Sequence, residues 1–322
     1  MRIGLIGAGA IARRHVGVLS ALDGVELSAV CDSDLARAES IAAGAAVYGS
    51  WQQLLEHPLE AVFVCTPPAA HAEPAIAAIR RGLAVYLEKP LARAAADGEA
   101  IVAAWHESGG VCAVGYQWRS LALLGRVRDG LAGAAPGMLI SRSVGPTEPG
   151  RAASWFGDPA VSGGILFELG SHDFDLQQAL AGPAASVQAV SGRGLGTGGG
   201  ALDDAVAVLV RYAAGGLGVI SVAWTEQQQP PIYELDVLAP DVALHLALDP
   251  AFRLAGRAHG EAVDEEEGAD PRTSAVTGFL DAARRRDPAA VACTPEDALG
   301  TLRVALAAEH AIAGGETVRL GG

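Results

Sequence analysis

The feature that most constrains this chain is an alternation of strand and helix patterns along its first 118 residues. "RIGLIG" is a short apolar run followed by a helical stretch to about Ala21, and "VELSAVCD" precedes helix from Leu35 to Ala43. "AVFVC" precedes "TPPAAHAEPAIAAIRRG", whose apolar residues recur at helical spacing. "LAVYLEK" leads into helix from Ala92 to Ser108, and "GVCAVGYQ" ends the series. Strand-helix repeats of this length imply a parallel sheet with helices on both faces, because parallel neighbours need a crossover.

After about Trp118 the pattern changes. A helical stretch, "LALLGRVRDGLAG", precedes "GMLISRSV", and from Ala184 to Leu254 strand signals dominate. "AVAVLVRYAAGGLGVISVAW" reads as two strands across a glycine turn, and "YELDVLAPDVALHLAL" as two more across Pro240-Asp241. Hairpins of this kind build an antiparallel or mixed sheet. Helices return over about Ser274 to Arg286 and Pro295 to Ala313, the second with Thr294 as N-cap and Asp297 in its first turn. The expected fold class is α/β, with a parallel-sheet domain at 1–118 and an α+β domain at 119–322. Two biased segments read as connections: "GRGLGTGGG" (192–200) as a loop and "DEEEGAD" (264–270) as a solvated turn.

Composition excludes several classes of partner. The chain has 322 residues, 50% of them hydrophobic, and 23 basic against 37 acidic residues give a net charge of −14. With no basic block, nucleic acid and anionic membrane are poor partners. No apolar run is long enough to span a bilayer. The opening "MRIGLIGAGAIARRH" has an apolar core, but glycines interrupt it, and arginines and a histidine follow where a cleavage site would stand. A cytoplasmic protein is the expectation. Cys31, Cys65, Cys112 and Cys293 lack C-x-x-C spacing and read as small buried hydrophobes, with no metal site.

The first strand runs into Gly7-Ala8-Gly9-Ala10-Ile11-Ala12, a dinucleotide fingerprint with alanine in its last place. Gly7 permits the tight turn, Gly9 lets the backbone approach a pyrophosphate, and Ala12 allows close packing of helix on strand. Asp32 ends the second strand twenty residues beyond Ala12, where a carboxylate would bind the adenine ribose. That carboxylate would repel a 2′-phosphate, which favours NAD over NADP; Arg37 is expected on the solvated face of the next helix.

Chemistry-bearing residues recur in two further places. "YLEKPLA" sets Lys89 at the carboxyl edge of the parallel sheet, where cofactor crevices lie. "GGILFELGSHDFDL" (163–176) spaces Glu168, His172 and Asp175 four and then three residues apart, one face of a helix, with Asp173 turned away from it; Asp175 reads as a buried acid satisfying backbone or histidine. A histidine near neutral pKa suits proton transfer from a secondary alcohol, and a lysine in a partly dry crevice can stabilise the developing alkoxide.

Together the fingerprint, "TPPAAH" through "EKP", and "SGGILFELGSHDFDL" resemble the Gfo/Idh/MocA family of NAD(P)-dependent oxidoreductases, over nearly the whole chain. The resemblance implies a Rossmann domain followed by a mixed-sheet domain whose outer face often makes oligomer contacts, and substrates among sugars, inositols and related polyols. It implies Lys89 beside the reacting carbon and His172 as general base. Thr66, Pro67, His71 and Glu88 would line the nicotinamide half of the cofactor pocket, and Trp118 and Arg119 would face cofactor and substrate. Trp155 and Phe156 are expected to shape the substrate pocket with Arg119. Glu168 departs from the aspartate common in the family, and Pro68 from a frequent asparagine. The expected function is therefore an NAD-dependent dehydrogenase acting on CH–OH groups, forming a homodimer or tetramer. Two alternatives share these motifs: a glycoside hydrolase that uses NAD without net redox, and a non-catalytic sensor of NAD and sugar.

Overall fold

The computed structural model describes residues 1–146, 154–193, 195, 203–225, 231–249 and 251–321. They form two compact units: Met1–Gln117 with Arg272–Leu299, and Trp118–Pro271 with Gly300–Gly322.

The first unit begins β1 (Arg2–Ile6), α1 (Ala10–Ser20), β2 (Glu26–Cys31), α2 (Leu35–Ala42), β3 (Ala46–Tyr48) and α3 (Trp51–Leu54). It continues β4 (Ala61–Val64), α4 (Ala72–Arg80), β5 (Ala84–Leu87), α5 (Ala95–Ser108) and β6 (Cys112–Val114). All six strands pair in parallel, in the order β3-β2-β1-β4-β5-β6. This is the doubly wound Rossmann order, whose switch point falls between β1 and β4. The strands carry near-continuous apolar runs because helices cover both faces: Ile3, Leu5, Val30, Phe63 and Val85 are wholly inaccessible to solvent.

Helix α9 (Pro271–Arg285) brings Val276, Phe279 and Leu280 into this same core. The Phe279 ring meets Phe63 and Tyr86 edge-on, at 5.6 and 5.5 Å between centroids. The expected single crossing after residue 118 is thus corrected. The chain returns at 272 because the parallel sheet's core is left open without these side chains.

The second unit contains α6 (Ala122–Leu131), β7 (Met138–Pro146), α7 (Pro159–Ser162), α8 (Ser171–Ala181), β8 (Ala184–Gly192) and β9 (Ala205–Tyr212). It continues with β10 (Leu217–Thr225), β11 (Ile232–Ala239), β12 (Val242–Asp249), β13 (Phe252–Ala258) and β14 (Glu261–Glu267). Helix α10 (Pro295–Gly314) and β15 (Val318–Arg319) end the described chain. The strands form one sheet, β14-β13-β12-β11-β7-β10-β9-β8-β15, antiparallel except for the β7–β10 pair. Burial alternates along β9, β10 and β12, as it must where one sheet face is covered and the other open.

Helix α8 covers the inner face through a buried polar set. The Gln177 amide donates to Ser141 Oγ at 2.8 Å, the Tyr212 hydroxyl donates to Gln177 Oε1 at 2.8 Å, and Ser143 Oγ donates to Asp173 Oδ1 at 3.0 Å.

The start of α10 carries a reciprocal capping box: Asp297 N–H donates to Thr294 Oγ1 at 3.1 Å, and Thr294 N–H to Asp297 Oδ2 at 3.0 Å. The acidic segment expected as a turn is instead mostly strand, since Asp264, Glu265, Glu266 and Glu267 lie in β14. Its charge is balanced by neighbours: Asp264 pairs with Arg253, and Glu265 with Arg126. The glycine-rich stretch 192–200 lies largely outside the described residues. All four cysteines are free and buried; burial, with Asp32 adding to it, pushes the Cys31 thiol up to about 11, and burial pushes Cys112 to about 12. They are inert packing groups. No described helix is long and apolar enough to cross a membrane, and no described cluster of His, Cys, Asp and Glu could hold a metal ion.

Candidate active site

In the first unit the expected residues gather at the carboxyl ends of β1, β2, β4 and β5. Gly7 takes a positive φ of 92°, and a Cβ there would lie 2.8 Å from the Cys65 carbonyl carbon and oxygen. The turn can pass this close to β4 only as glycine. Its amide donates to Cys31 O at 2.8 Å, while the Ala8 amide donates to Asp32 Oδ2 at 2.8 Å. Asp32 Oδ1 accepts from Asp34 N–H, so the acid braces the turn with both oxygens, each keeping a lone pair for another donor.

Gly9 begins α1 with no side-chain cap, and a Cβ on it would meet nothing within 4 Å. Uncapped amides of Ala10 and Ile11, open space at Gly9 and a half-buried carboxylate at Asp32 fit a pyrophosphate and its ribose. Ala12 is buried against the sheet, as the fingerprint requires. Arg37 lies exposed on α2 beside Asp34, 3.6 Å away.

Thr66 Oγ1 donates to Ala70 O at 3.1 Å, and Pro67 precedes a short 3-10 turn over Pro68–Ala70. His71 is wholly buried, with Nδ1 2.9 Å from Pro90 O and Nε2 2.8 Å from Thr66 O. Both ring nitrogens lie against main-chain carbonyls, so the imidazole is tied to the chain on both sides. Desolvation lowers its pKa, against the pull of the surrounding carbonyls and Glu88.

Glu88 is also buried, with Oε1 2.7 Å from His15 Nε2 and Oε2 accepting the Lys89 N–H at 3.1 Å. Burial raises the acid's pKa, but the hydrogen bond and charge of His15, with Lys89, outweigh it and hold the carboxyl below its usual value. His15 was missed from sequence. Its signal was a histidine on the buried stripe Ala12, His15, Leu19 of α1, a polar group at an apolar position. Composition held a second unread signal: of the chain's 23 lysines and arginines, Lys89 is the single lysine.

In the second unit the Trp118 ring packs on the His172 imidazole at 4.8 Å between centroids, and on Tyr233 at 5.6 Å. Tyr233, unread in the sequence, comes from β11. Arg119 Nε donates to both oxygens of Asp175, at 3.0 and 2.9 Å, with both side chains buried. Asp175 also accepts from Thr301 Oγ1 at 3.2 Å. Asp175 is therefore a support for Arg119, and the Arg119 Nε is turned to structure.

Glu168 lies in a π-helical turn, Leu166–Gly170, which leads into α8. The wider turn means that its four-residue spacing to His172 does not follow α-helical geometry. Gly163, at φ 77°, sits against the Phe167 ring and gives the chain its left-handed entry to this turn. Asp173 was set aside in the sequence, yet it is buried, with Oδ2 unpartnered and its pKa raised to about 7 by desolvation. Trp155 is 37% exposed and stacks on Phe156 at 3.8 Å.

Comparison with known proteins accords with these features. Residues 1–116 match the Gfo/Idh/MocA oxidoreductase family with its NAD-binding Rossmann fold, and residues 127–238 match the Gfo/Idh/MocA C-terminal domain. A 4-carboxy-2-hydroxymuconate-6-semialdehyde dehydrogenase of Sphingobium sp. is 40% identical over 126 residues, 37% of this chain and 39% of that protein. The chain thus aligns with less than half of that relative's length. A 1,5-anhydro-D-fructose reductase of Ensifer adhaerens is 32% identical over 237 residues, 70% of this chain and 69% of the relative. The structure of GenD2 from gentamicin A biosynthesis, in complex with NAD, superposes with a TM-score of 0.83 at 24% identity, covering 100% of this chain and 97% of that one. That likeness is one of fold. With sequence matches on both units and a relative aligned over more than two thirds of its length, the chain belongs to the Gfo/Idh/MocA family of NAD-binding oxidoreductases.

Proposed function

We propose that the chain moves hydride between NAD and a secondary-alcohol carbon of a sugar, inositol or related polyol. The observation that carries this reading is Lys89, a single lysine just after β5 in a chain whose other strongly basic side chains are all arginine. A compact ammonium brings one concentrated charge to a reacting oxygen, where a planar guanidinium spreads its charge over a fork. Family membership and the match to an anhydro-sugar reductase support a carbohydrate-like substrate.

When bound, NAD supplies the hydride acceptor. Lys89 donates a hydrogen bond to the reacting oxygen and stabilises the charge that develops on it. His172 takes the hydroxyl proton during oxidation and returns it during reduction. Trp118, packed on that imidazole, keeps water from one face of it, and Glu168 and Trp155 bind substrate hydroxyls and ring. Asp32 selects NAD by repelling a 2′-phosphate, and Arg37, beside Asp34, does not offset it.

The protein acts in the cytoplasm as a homo-oligomer. Support for the assembly comes from the open face of the second sheet, where Val190, Leu209, Leu217 and Leu238 are 69%, 52%, 42% and 36% exposed.

The test is NADH formation with a panel of sugars, inositols and anhydro-sugars. Lys89→Arg and His172→Gln are expected to lower kcat/KM by about 100-fold or more on an active substrate. Unchanged kcat/KM in either variant refutes the assigned roles.

A further inference from the structure

Two of the eight histidines, His15 and His71, have no solvent exposure, and both contact the same three-residue segment from different elements. The segment begins where β5 stops: Glu88 N–H still donates to Val64 O at 2.9 Å, and Lys89 then leaves the sheet. From α1, His15 Nε2 holds Glu88 Oε1 at 2.7 Å, and Glu88 Oε2 turns back to accept the Lys89 N–H at 3.1 Å. Gly115 faces the same carboxylate, and a Cβ there would lie 3.2 Å from Oε1. A side chain at 115 would crowd the carboxylate, so glycine there keeps its place open. From the start of α4, His71 Nδ1 lies 2.9 Å from Pro90 O, and its Nε2 lies 2.8 Å from Thr66 O. Thr66 N is in turn part of the wall against which Gly7 packs.

These contacts close a circuit: fingerprint turn, α1, His15, Glu88, Lys89, Pro90, His71, Thr66, and back to Gly7. We propose that His15 and His71 are positioning residues for Lys89, His15 acting through the Glu88 carboxylate and His71 through the Pro90 carbonyl. Neither touches the reacting groups. Together they fix both main-chain neighbours of the one lysine, and they tie its position to the turn that carries the cofactor phosphates. The ionisable groups that face Glu88 are His15 from α1, Cys65 after β4, His71, Tyr86 on β5 and Lys89 itself. The proposal rests on the reading of Lys89 given above, and its test separates the two.

Because Lys89 is the only lysine, protein grown on ¹³C,¹⁵N-lysine gives a single Lys side-chain NMR signal, readable with or without NAD and without any substrate. The variants are His15→Leu and His71→Leu, which remove the contacts, and His15→Gln and His71→Asn, which keep an N–H donor near the same place. Both Leu variants should move the Lys89 Cε and Nζ shifts and their titration midpoint, and the Gln and Asn variants should restore most of the change. On an active polyol the Leu variants should lower kcat by about 10–100-fold with KM for NAD held, the usual cost of losing a group that orients a reacting one. If the Leu variants fail to fold, the Gln and Asn variants, whose signal should lie between wild type and a displaced position, carry the test. A Lys89 signal, titration and kcat identical to wild type in folded variants overturns the proposal. If no polyol is turned over, the proposed activity fails while the NMR signal still decides the clamp.

Discussion

Asp173→Asn tests how dry the floor beneath α8 is. Asp173 is 2% exposed, and desolvation raises its pKa from the usual 3.8 to about 7, against the opposing hydrogen bond from Ser143. A difference of about 3 in pKa, at about 1.4 kcal/mol each, corresponds to about 4 kcal/mol. The sign follows from proton binding. The folded state holds this proton more tightly than the unfolded chain, so unfolding releases it between about pH 4 and pH 7. Stability from this group is therefore complete below about pH 4, falls as pH rises through that window, and is level above it. Asparagine keeps the shape and still accepts from Ser143 Oγ, but it cannot ionise. Urea unfolding followed by tryptophan fluorescence from acid to alkaline pH should show wild type losing about 4 kcal/mol relative to the variant, with a slope no steeper than about 1.4 kcal/mol per pH unit. Comparing the two proteins at each pH cancels titrations they share. A gap that stays constant across the window means a carboxyl with ordinary solvation, and refutes the desolvation reasoning. The same titration bears on function, because Asp173 is the immediate neighbour of His172 on α8.

Asp32→Ala should weaken NAD binding and narrow the preference over NADP, read as a ratio of Kd values; a ratio equal to wild type removes Asp32 from cofactor choice. Gly7→Ala should abolish NAD binding and lower Tm, because its Cβ would meet the Cys65 carbonyl and its φ of 92° disfavours an L side chain. A Gly7→Ala protein that melts and binds NAD as wild type does would show that β1 and β4 need not pass so closely. Thr294→Ala should cost about 1 kcal/mol in urea unfolding by breaking the capping box at α10. A loss near zero would mean that Asp297 caps the helix alone.

The parallel sheet was legible because its strands are continuous apolar runs, each closed by a glycine, proline or acid before a helical period. β3 and α3 were not, since three and four residues carry no measurable period. β14 was misread because four consecutive acids imitate a turn; pairing with β13 makes them strand, and Arg253 on β13 and Arg126 on α6 offset their charge. The nucleotide residues were legible for a local reason: Gly7, Gly9 and Asp32 follow from the shape of one turn. Asp175 was legible as a buried supporting acid, but its partner was not, because Arg119 lies 56 residues away. The shared face of Glu168, His172 and Asp175 assumed α-helical spacing, and a π turn at Leu166–Gly170 breaks that assumption. Burial with one carboxylate oxygen left unpartnered, as at Asp173 Oδ2, leaves no trace in sequence spacing.

The return of α9 to the first unit bears on how the protein is made. A ribosome releases residues 1–117 long before it releases Val276, Phe279, Leu280 and Val291, yet those four belong to the same core as Phe63 and Tyr86. During synthesis the nucleotide-binding sheet therefore waits, with an apolar face unsealed, while the whole second sheet is translated. A fragment ended near residue 118 should inherit that exposed face permanently, and tend to aggregate where the full chain does not. Gene truncation at the apparent domain border is thus the wrong way to isolate the cofactor-binding half of this protein.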